Sequence, residues 1–354
     1  MKHILQKVTD RFFPGETIEE ITDIKSGLIN QTWKVDIAGA GYAFQRLNSG
    51  VFVHPGIIHR NLDRLKHFVD SEGMTVRMVL PMATSDGQSL LRVDGEYYRV
   101  FPWIEGGKTV DVVENTNQAY GAAGQFGAFT RAFSGFDCQQ LESAIPDFHN
   151  LRLRFSQFKL AVKNGNPERI VASQELIRAI SGHQHIVDLF DKMTGSPHYQ
   201  VRVMHHDAKI SNVLLDKNDR GLCVIDLDTV MPGYIFSDWG DMLRTYVCPV
   251  SEEEADFSKI FIRKEYFEAI SEAYLEHMSD ILSEEERQSL AVSGQILIYM
   301  QAIRFLTDHL YDDVYYGAAY DGHNFVRAGN QLRLLEELQK FVRPERSYNT
   351  VVLS

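Results

Sequence analysis

The sequence predicts an α+β chain of two lobes: a small antiparallel-sheet N-lobe with one main helix, then a larger, mostly helical C-lobe. Short β-prone runs between Gly-bearing turns fill the first hundred residues. From Asn115 onward apolar positions recur at helical spacing instead. The change falls at Phe101-Pro102-Trp103-Ile104-Glu105-Gly106-Gly107, where a strand runs into Pro and Gly. We therefore expect lobes over residues 1–102 and 103–354, with a cleft between them of the kind small ligands occupy.

In the first lobe the expected strands are 21–25, 31–37 and 42–47, then 76–80, 89–93 and 97–101, with Asp86-Gly87 and Asp94-Gly95 as hairpin turns. Between the two sets, residues 55–72 place Ile57, Ile58, Leu62, Leu65, Phe68 and Val69 on one helical face and stop at Gly73. In the second lobe the clearest helices are 118–133, 173–190, 265–277, 284–310 and 329–341. A hairpin is expected from Val213-Leu214-Leu215 and Leu222-Cys223-Val224-Ile225, turning at Asp219-Arg220-Gly221.

The bulk properties narrow the function. A net charge of −12 argues against a nucleic-acid partner, because a phosphate backbone needs a basic face. Cys138, Cys223 and Cys248 are odd in number and widely spaced, which suits neither a zinc site nor a disulfide framework. The first residues lack the apolar core of a signal peptide. No run is expected to reach the roughly 18 apolar residues of a membrane span. A cytoplasmic protein without a membrane partner is the expectation.

The chemistry concentrates in His205-His206-Asp207-Ala208-Lys209-Ile210-Ser211-Asn212 and in Val224-Ile225-Asp226-Leu227-Asp228. Phosphoryl transfer needs positioning and charge stabilisation more than covalent help. Asp207 suits the role of accepting a hydroxyl proton, and Lys209 that of reaching the transferred phosphoryl group. Asn212 and Asp226 offer oxygen ligands for Mg²⁺, with Asp228 assisting. The hairpin explains the spacing, since it returns Asp226 to the neighbourhood of Asn212.

D-x-K-x-x-N followed by an Asp after an apolar strand resembles the protein-kinase-like fold. The His-x-Asp form and Asp238-Trp239-Gly240-Asp241 resemble the aminoglycoside phosphotransferase and choline kinase family. Within it, Ile225-Asp226-Leu227-Asp228-Thr229-Val230-Met231-Pro232-Gly233, Arg304-Phe305-Leu306-x-Asp308 and Arg99-Val100-Phe101-x-Trp103-Ile104-Glu105 are similar to the N-acetylhexosamine 1-kinases. The resemblance implies an ATP- and Mg²⁺-dependent transfer to the anomeric hydroxyl of N-acetylglucosamine or N-acetylgalactosamine. It also implies that Asp238 braces the catalytic loop.

For the nucleotide, Gly27-Leu28-Ile29-Asn30-Gln31-Thr32 reads by itself as a simple turn; the resemblance makes Gly27, Leu28 and Thr32 a phosphate cover and brings Asn30 near the sugar. Phe101, Trp103 and Ile104 would form the adenine-facing hinge, with Trp103 either walling the purine or packing the lobes. Protein kinases carry a phosphate-holding Lys on the third strand. Here Gln45 or Arg46 stands there, and alternation lets only one of them face the cleft. Gln45 is the favoured candidate.

Arg304 and Asp308 lie four apart on an apolar helix, either bridged to each other or, as the resemblance implies, facing the sugar together with Tyr315. The same machinery acting on another sugar, an amino alcohol or an aminoglycoside is the first alternative. A nucleotide-binding regulator without catalysis is the second. Other features fit structure better than chemistry. Gly121, Gly124 and Gly127 lie within a helix and suit close packing rather than dinucleotide binding. Ser251 to Glu254 and Ser283 to Glu286 read as capping boxes. His54, His59, His67, His183 and His185 lack metal-ligand company.

Overall fold

The computed structural model describes residues 1–24, 30–48, 50, 52, 54–74 and 76–342. In the N-lobe, β1 (Ile18–Ile24), β2 (Gln31–Ile37) and β3 (Ala40–Arg46) form an antiparallel meander, which β5 (Glu96–Pro102) and β4 (Leu91–Val93) extend in the order β1-β2-β3-β5-β4. The β2–β3 turn uses Ala38 and Gly39, and the β4–β5 turn uses Asp94 and Gly95, all at positive φ. Two such residues give the turn the twist that right-handed strands need. β3 and β5 pair so that Gln45 stands directly opposite Arg99.

One face of this sheet is closed by α1 (Lys2–Phe12), which has no counterpart among the expected elements. Leu5, Val8 and Phe12 pack there with Trp33, Val35, Phe44 and Val100. The expected helix after the third strand is α2 (Pro55–Ser71). The expected strand at 76–80 does not form. Among the described residues its one ladder contact is a bridge from Met78 to Val224, and by Met82 the chain has returned to donate to the Val100 carbonyl of β5. A segment crossing between the lobes does not run beside one strand long enough to pair with it.

The C-lobe opens with α3 (Thr116–Ala132), capped by the Asn115 side chain. Then come α4 (Leu151–Asn164), α5 (Pro167–Ala172), α6 (Gln174–Ser181) and α7 (His185–Thr194). The single helix expected over 173–190 is thus two, interrupted at Gly182. β6 (Arg202–Met204) pairs with β9 (Met231–Gly233), and β7 (Val213–Leu215) with β8 (Gly221–Val224). The second pair is the expected hairpin. α8 (Phe236–Tyr246), α9 (Lys264–Met278), α10 (Glu284–Leu310) and α11 (His323–Phe341) complete the lobe.

α10 is its axis, packing on α4, α8 and α11. The Ser283–Glu286 capping box forms as expected, and the fully buried Glu286 carboxylate also takes a bidentate bond from Arg202 at 2.6 and 2.8 Å. α10 is long and apolar enough to cross a membrane, contrary to expectation, but 78% of its apolar window is buried inside this fold. Ser251 does not cap a helix; it begins a turn whose acids, Glu252 and Glu253, pair with Arg244 and Arg327.

The glycines of α3 admit neighbours closely, as expected. Gly127 lies against the Tyr274 carbonyl of α9, while Gly121 lies against the β7–β8 turn. A Cβ on Gly121 would stand 2.7 Å from the Asp219 carbonyl oxygen. Backbone cannot swing aside as a side-chain tip can, so Gly121→Ala should cost about 1–3 kcal/mol, read as a lower urea midpoint at unchanged slope.

Candidate active site

The catalytic loop leaves β6 at Met204 and is fixed from below by Asp238 in the first turn of α8. The fully buried Asp238 carboxylate accepts the His205 N–H at 2.9 Å and the His206 N–H at 2.7 Å. Burial raises its pKa to about 7, and the two N–H bonds work against that rise. The fork holds His206 at φ +65, a left-handed conformation that costs a non-glycine residue about 1–2 kcal/mol. His205 is locked as well: its Nε2 lies 3.0 Å from the Ile225 carbonyl oxygen, and Thr229 donates to its carbonyl at 2.7 Å. Tyr246 donates to the Ala208 carbonyl at 2.9 Å.

This braced turn delivers Asp207 to the cleft. Lys209 Nζ lies 3.0 Å from Asp207 Oδ2, and Asn212 Nδ2 donates to the same oxygen at 2.8 Å. Burial opposes the charge on Asp207, but the Lys209 ammonium, His205 and these bonds outweigh it and hold the carboxyl below its usual range. The Asp207 carboxylate is therefore ionised at neutral pH. Asn212 spends its NH₂ on Asp207, which leaves its amide oxygen without a partner among the described residues. Its backbone carbonyl accepts the Ile225 N–H at 2.9 Å, which brings Asp226 alongside.

Asp226, at φ +59, faces the open cleft and has no hydrogen-bond or ion-pair partner among the described residues. Crowding by protein, then the charges of Asp228 and Asp207, push its carboxyl upward. An unpaired carboxylate in a field of like charge, with an unpaired amide oxygen beside it, suits a hard divalent cation such as Mg²⁺. Asn212 and Asp226 would hold it. Bound there, it would offset charge on the phosphates being split.

Asp228 is placed differently from expectation. Its Oδ1 lies 2.5 Å from NH1 of Arg99, and its Oδ2 accepts from NH2 of Arg99 at 2.7 Å and from Asn30 Nδ2 at 2.9 Å. It is an ion-pair partner of the N-lobe, buried to 3% exposure, and is not free to take a metal beside Asp226. Asn30 likewise engages both ends of its amide, the oxygen accepting the Asn48 N–H at 3.0 Å, and keeps one Nδ2 hydrogen. It bridges the lobes where the resemblance had it facing the sugar. Gly27 and Leu28 lie outside the described residues.

On the N-lobe side Gln45 faces the cleft, donating to Thr32 Oγ1 at 3.1 Å and accepting from Arg99 at 2.8 and 2.5 Å. In the hinge, Phe101 pairs with Ala43 and the Trp103 N–H is spent on the Gly41 carbonyl at 3.2 Å. The next N–H, on Ile104, has no partner among the described residues and is available to donate. Trp103 packs beside β3 with Lys34 over its ring at 5.6 Å.

Farther into the C-lobe, Arg304 and Asp308 do not pair. The Asp308 carboxylate accepts the N–H groups of Tyr315 and Tyr316 at 2.7 and 2.9 Å and closes the turn after α10. Arg304, 9% exposed, lies 5.3 to 5.8 Å from the ring centres of Phe148, Tyr315 and Tyr316, and among the described residues its side chain donates to the neutral Gln301 at 3.1 Å. Phe148 stacks on His149, whose Nδ1 lies 3.4 Å from Nδ1 of His206, the neighbour of Asp207. That chain of contacts joins Arg304 to the catalytic loop. Arg99, Arg154, His149 and Phe148 were absent from the expected site. A charged residue inside the apolar strand Tyr97-Tyr98-Arg99-Val100-Phe101 was the available signal for the first.

A family model described as the phosphotransferase enzyme family matches residues 20–271. The chain belongs to that family. Solved structures share the whole architecture. An aminoglycoside phosphotransferase from Alicyclobacillus acidocaldarius matches with a TM-score of 0.61 at 14% identity, over 95% of this chain and 96% of its own. A spectinomycin phosphotransferase in complex with ADP and spectinomycin matches at 0.60 and 14%, over 99% and 97%. A choline kinase from Streptococcus pneumoniae matches at 0.58 and 12%, over 95% and 99%. At such identities the likeness speaks for the fold.

Because the loop hangs on one carboxylate, Asp238→Asn is the sharpest perturbation of this phosphotransferase short of its reacting groups. The amide would set an NH₂ group against a backbone N–H that already needs an acceptor. We expect a loss of about 1–3 kcal/mol in urea unfolding, and a fall in kcat larger than any rise in either KM.

Proposed function

We propose that this phosphotransferase uses ATP and Mg²⁺ to phosphorylate the anomeric hydroxyl of an N-acetylhexosamine, N-acetylglucosamine or N-acetylgalactosamine. The observation that carries the acceptor class is Arg304: a buried guanidinium among three aromatic rings, with no carboxylate partner among the described residues. Arg154 and Arg244 lie near it, and burial with the charges of His206, Arg304, Arg154 and Arg244 drives the His149 pKa well down. The nearby acids are engaged: Asp241 and Glu252 by Arg244, Asp308 by backbone N–H groups. Arg304 and Arg154, whose side chains bond only neutral acceptors among the described residues, disfavour a cationic amino alcohol or aminoglycoside beside them. The region suits a neutral polyol, whose hydroxyl and amide oxygens accept guanidinium N–H bonds and whose C–H faces lie on aromatic rings. The sequence resemblance points the same way.

The transfer follows from the loop. Asp207 orients the acceptor hydroxyl and takes its proton as the oxygen bonds to the γ-phosphorus. The bond from that phosphorus to the bridging oxygen breaks, and ADP leaves with the electron pair. Lys209, held beside Asp207, offsets charge on the transferred group. Asn212 and Asp226 place the cation-binding oxygens on the phosphate side, and Ile104 and Gln45 bind the nucleotide.

Asp207→Asn should lower kcat by three orders of magnitude or more while the ADP dissociation constant stays within threefold. Near-normal turnover would remove the assignment. Arg304→Met should raise KM for the sugar at least tenfold and leave KM for ATP within twofold. In an acceptor panel, N-acetylhexosamines should be turned over and their 1-deoxy analogues should not. Turnover of choline or an aminopropanol without any sugar turnover would replace the sugar by an amino alcohol.

A further inference from the structure

Protein kinases hold the nucleotide phosphates with an ion pair inside the N-lobe, a lysine on the third strand and a glutamate on the following helix. Neither partner is present here. The third strand offers the neutral Gln45. The helix offers His59, which is 6% exposed, bonded through Nδ1 to Ser89 at 2.9 Å, and neutral because burial and the nearby Arg99 lower its pKa to about 4. Its electrostatic neighbours are Arg99 and Asp228. The two charges missing from strand and helix therefore stand beside them, on β5 and on the C-lobe loop.

We propose that Arg99 is the positioning residue of the nucleotide site: it sets the Gln45 amide toward the phosphates and, through Asp228, makes that setting depend on the two lobes being together. Arg99 is 1% exposed and can only donate hydrogen bonds. It therefore fixes which end of the Gln45 amide it meets: Oε1 accepts its Nε and NH2 groups, and Nε2 must point the other way, toward Thr32. Nε2 carries two hydrogens, and the Thr32 bond uses one. The second is available to a phosphate oxygen. The same guanidinium holds both Asp228 oxygens and lies 5.0 Å from the ring centre of the hinge residue Phe101. Because Asp228 is two residues from Asp226, the pair also sets the local charge. Without Arg99, Asp226 and Asp228 would together repel the phosphates. A planar, always-charged fork is what holding Gln45 and Asp228 at once requires.

The inference rests on the nucleotide-dependent transfer proposed above, and the test separates the two. ADP affinity is measured by calorimetry without added metal, beside steady-state kinetics and thermal midpoints, for wild type, Arg99→Met, Arg99→Lys and the double variant Arg99→Met/Gln45→Lys. Wild type should bind ADP; no binding at all would overturn the nucleotide reading itself. Arg99→Met should weaken ADP and raise KM for ATP tenfold or more, with the sugar KM within twofold. Arg99→Lys, which keeps the charge without the fork, should fall between the two. Gln45→Lys, which restores the cation to the third strand, should return the double variant to within threefold of wild type. A folded Arg99→Met with ADP affinity within twofold of wild type overturns the proposal. So does a double variant no better than the single one. If Arg99→Met does not fold, Arg99→Lys decides by the same twofold criterion.

Discussion

The His205 and His206 N–H groups end on the single carboxylate of Asp238, and the placement of the reacting groups follows from that fork. It holds the loop in a left-handed turn at His206 that the chain would not adopt unaided. The next side chain, Asp207, is thereby aimed into the cleft, and Lys209 and Asn212 follow within bonding reach of it. The bond from the Ile225 N–H to the Asn212 carbonyl extends the same frame to Asp226. Two carboxylates, an ammonium and an amide thus hang from one buried acid, whose charge costs desolvation and is offset by the N–H groups it organises.

The charges in the cleft divide by task. Asp207 is kept ionised by an adjacent lysine and is fit to accept a proton. Asp226 has no partner among the described residues and is pushed upward by burial and by the charges of Asp228 and Asp207. Asp228, only two residues farther, is neutralised by Arg99 and joins the lobes. Beyond Asp207 the balance reverses, with arginines over aromatic rings and their acids already engaged. One end of the cleft thus carries carboxylates and an ammonium, and the other guanidiniums over aromatic rings, which is the division the proposed transfer rests on.

The sequence exposed the parts of this plan that are local in the chain. The order of Asp207, Lys209 and Asn212 lies within six residues, and the β7–β8 hairpin that returns Asp226 announces itself by its turn. Asp238 was assigned its bracing role by resemblance, and the geometry agrees with it. What stayed hidden depends on distant partners. Arg99 and Asp228 meet across 129 positions and two lobes, so neither strand pattern nor motif could pair them. Arg304 and Asp308 had the right helical spacing for a bridge. The turn over 311–317 instead claimed the Asp308 carboxylate through backbone N–H groups, an interaction visible only once α10 ends. The helix α1 has a buried face of just three large residues, Leu5, Val8 and Phe12, too few to stand out from a polar start.

The central claim is that Asp207 directs an anomeric hydroxyl at the γ-phosphorus, and the position of the product phosphate tests it most directly. After incubation with ATP, Mg²⁺ and N-acetylglucosamine, phosphorus and proton NMR should show one new phosphomonoester signal coupled to the anomeric proton. A new phosphate coupled to the protons at C3, C4 or C6 would contradict the account.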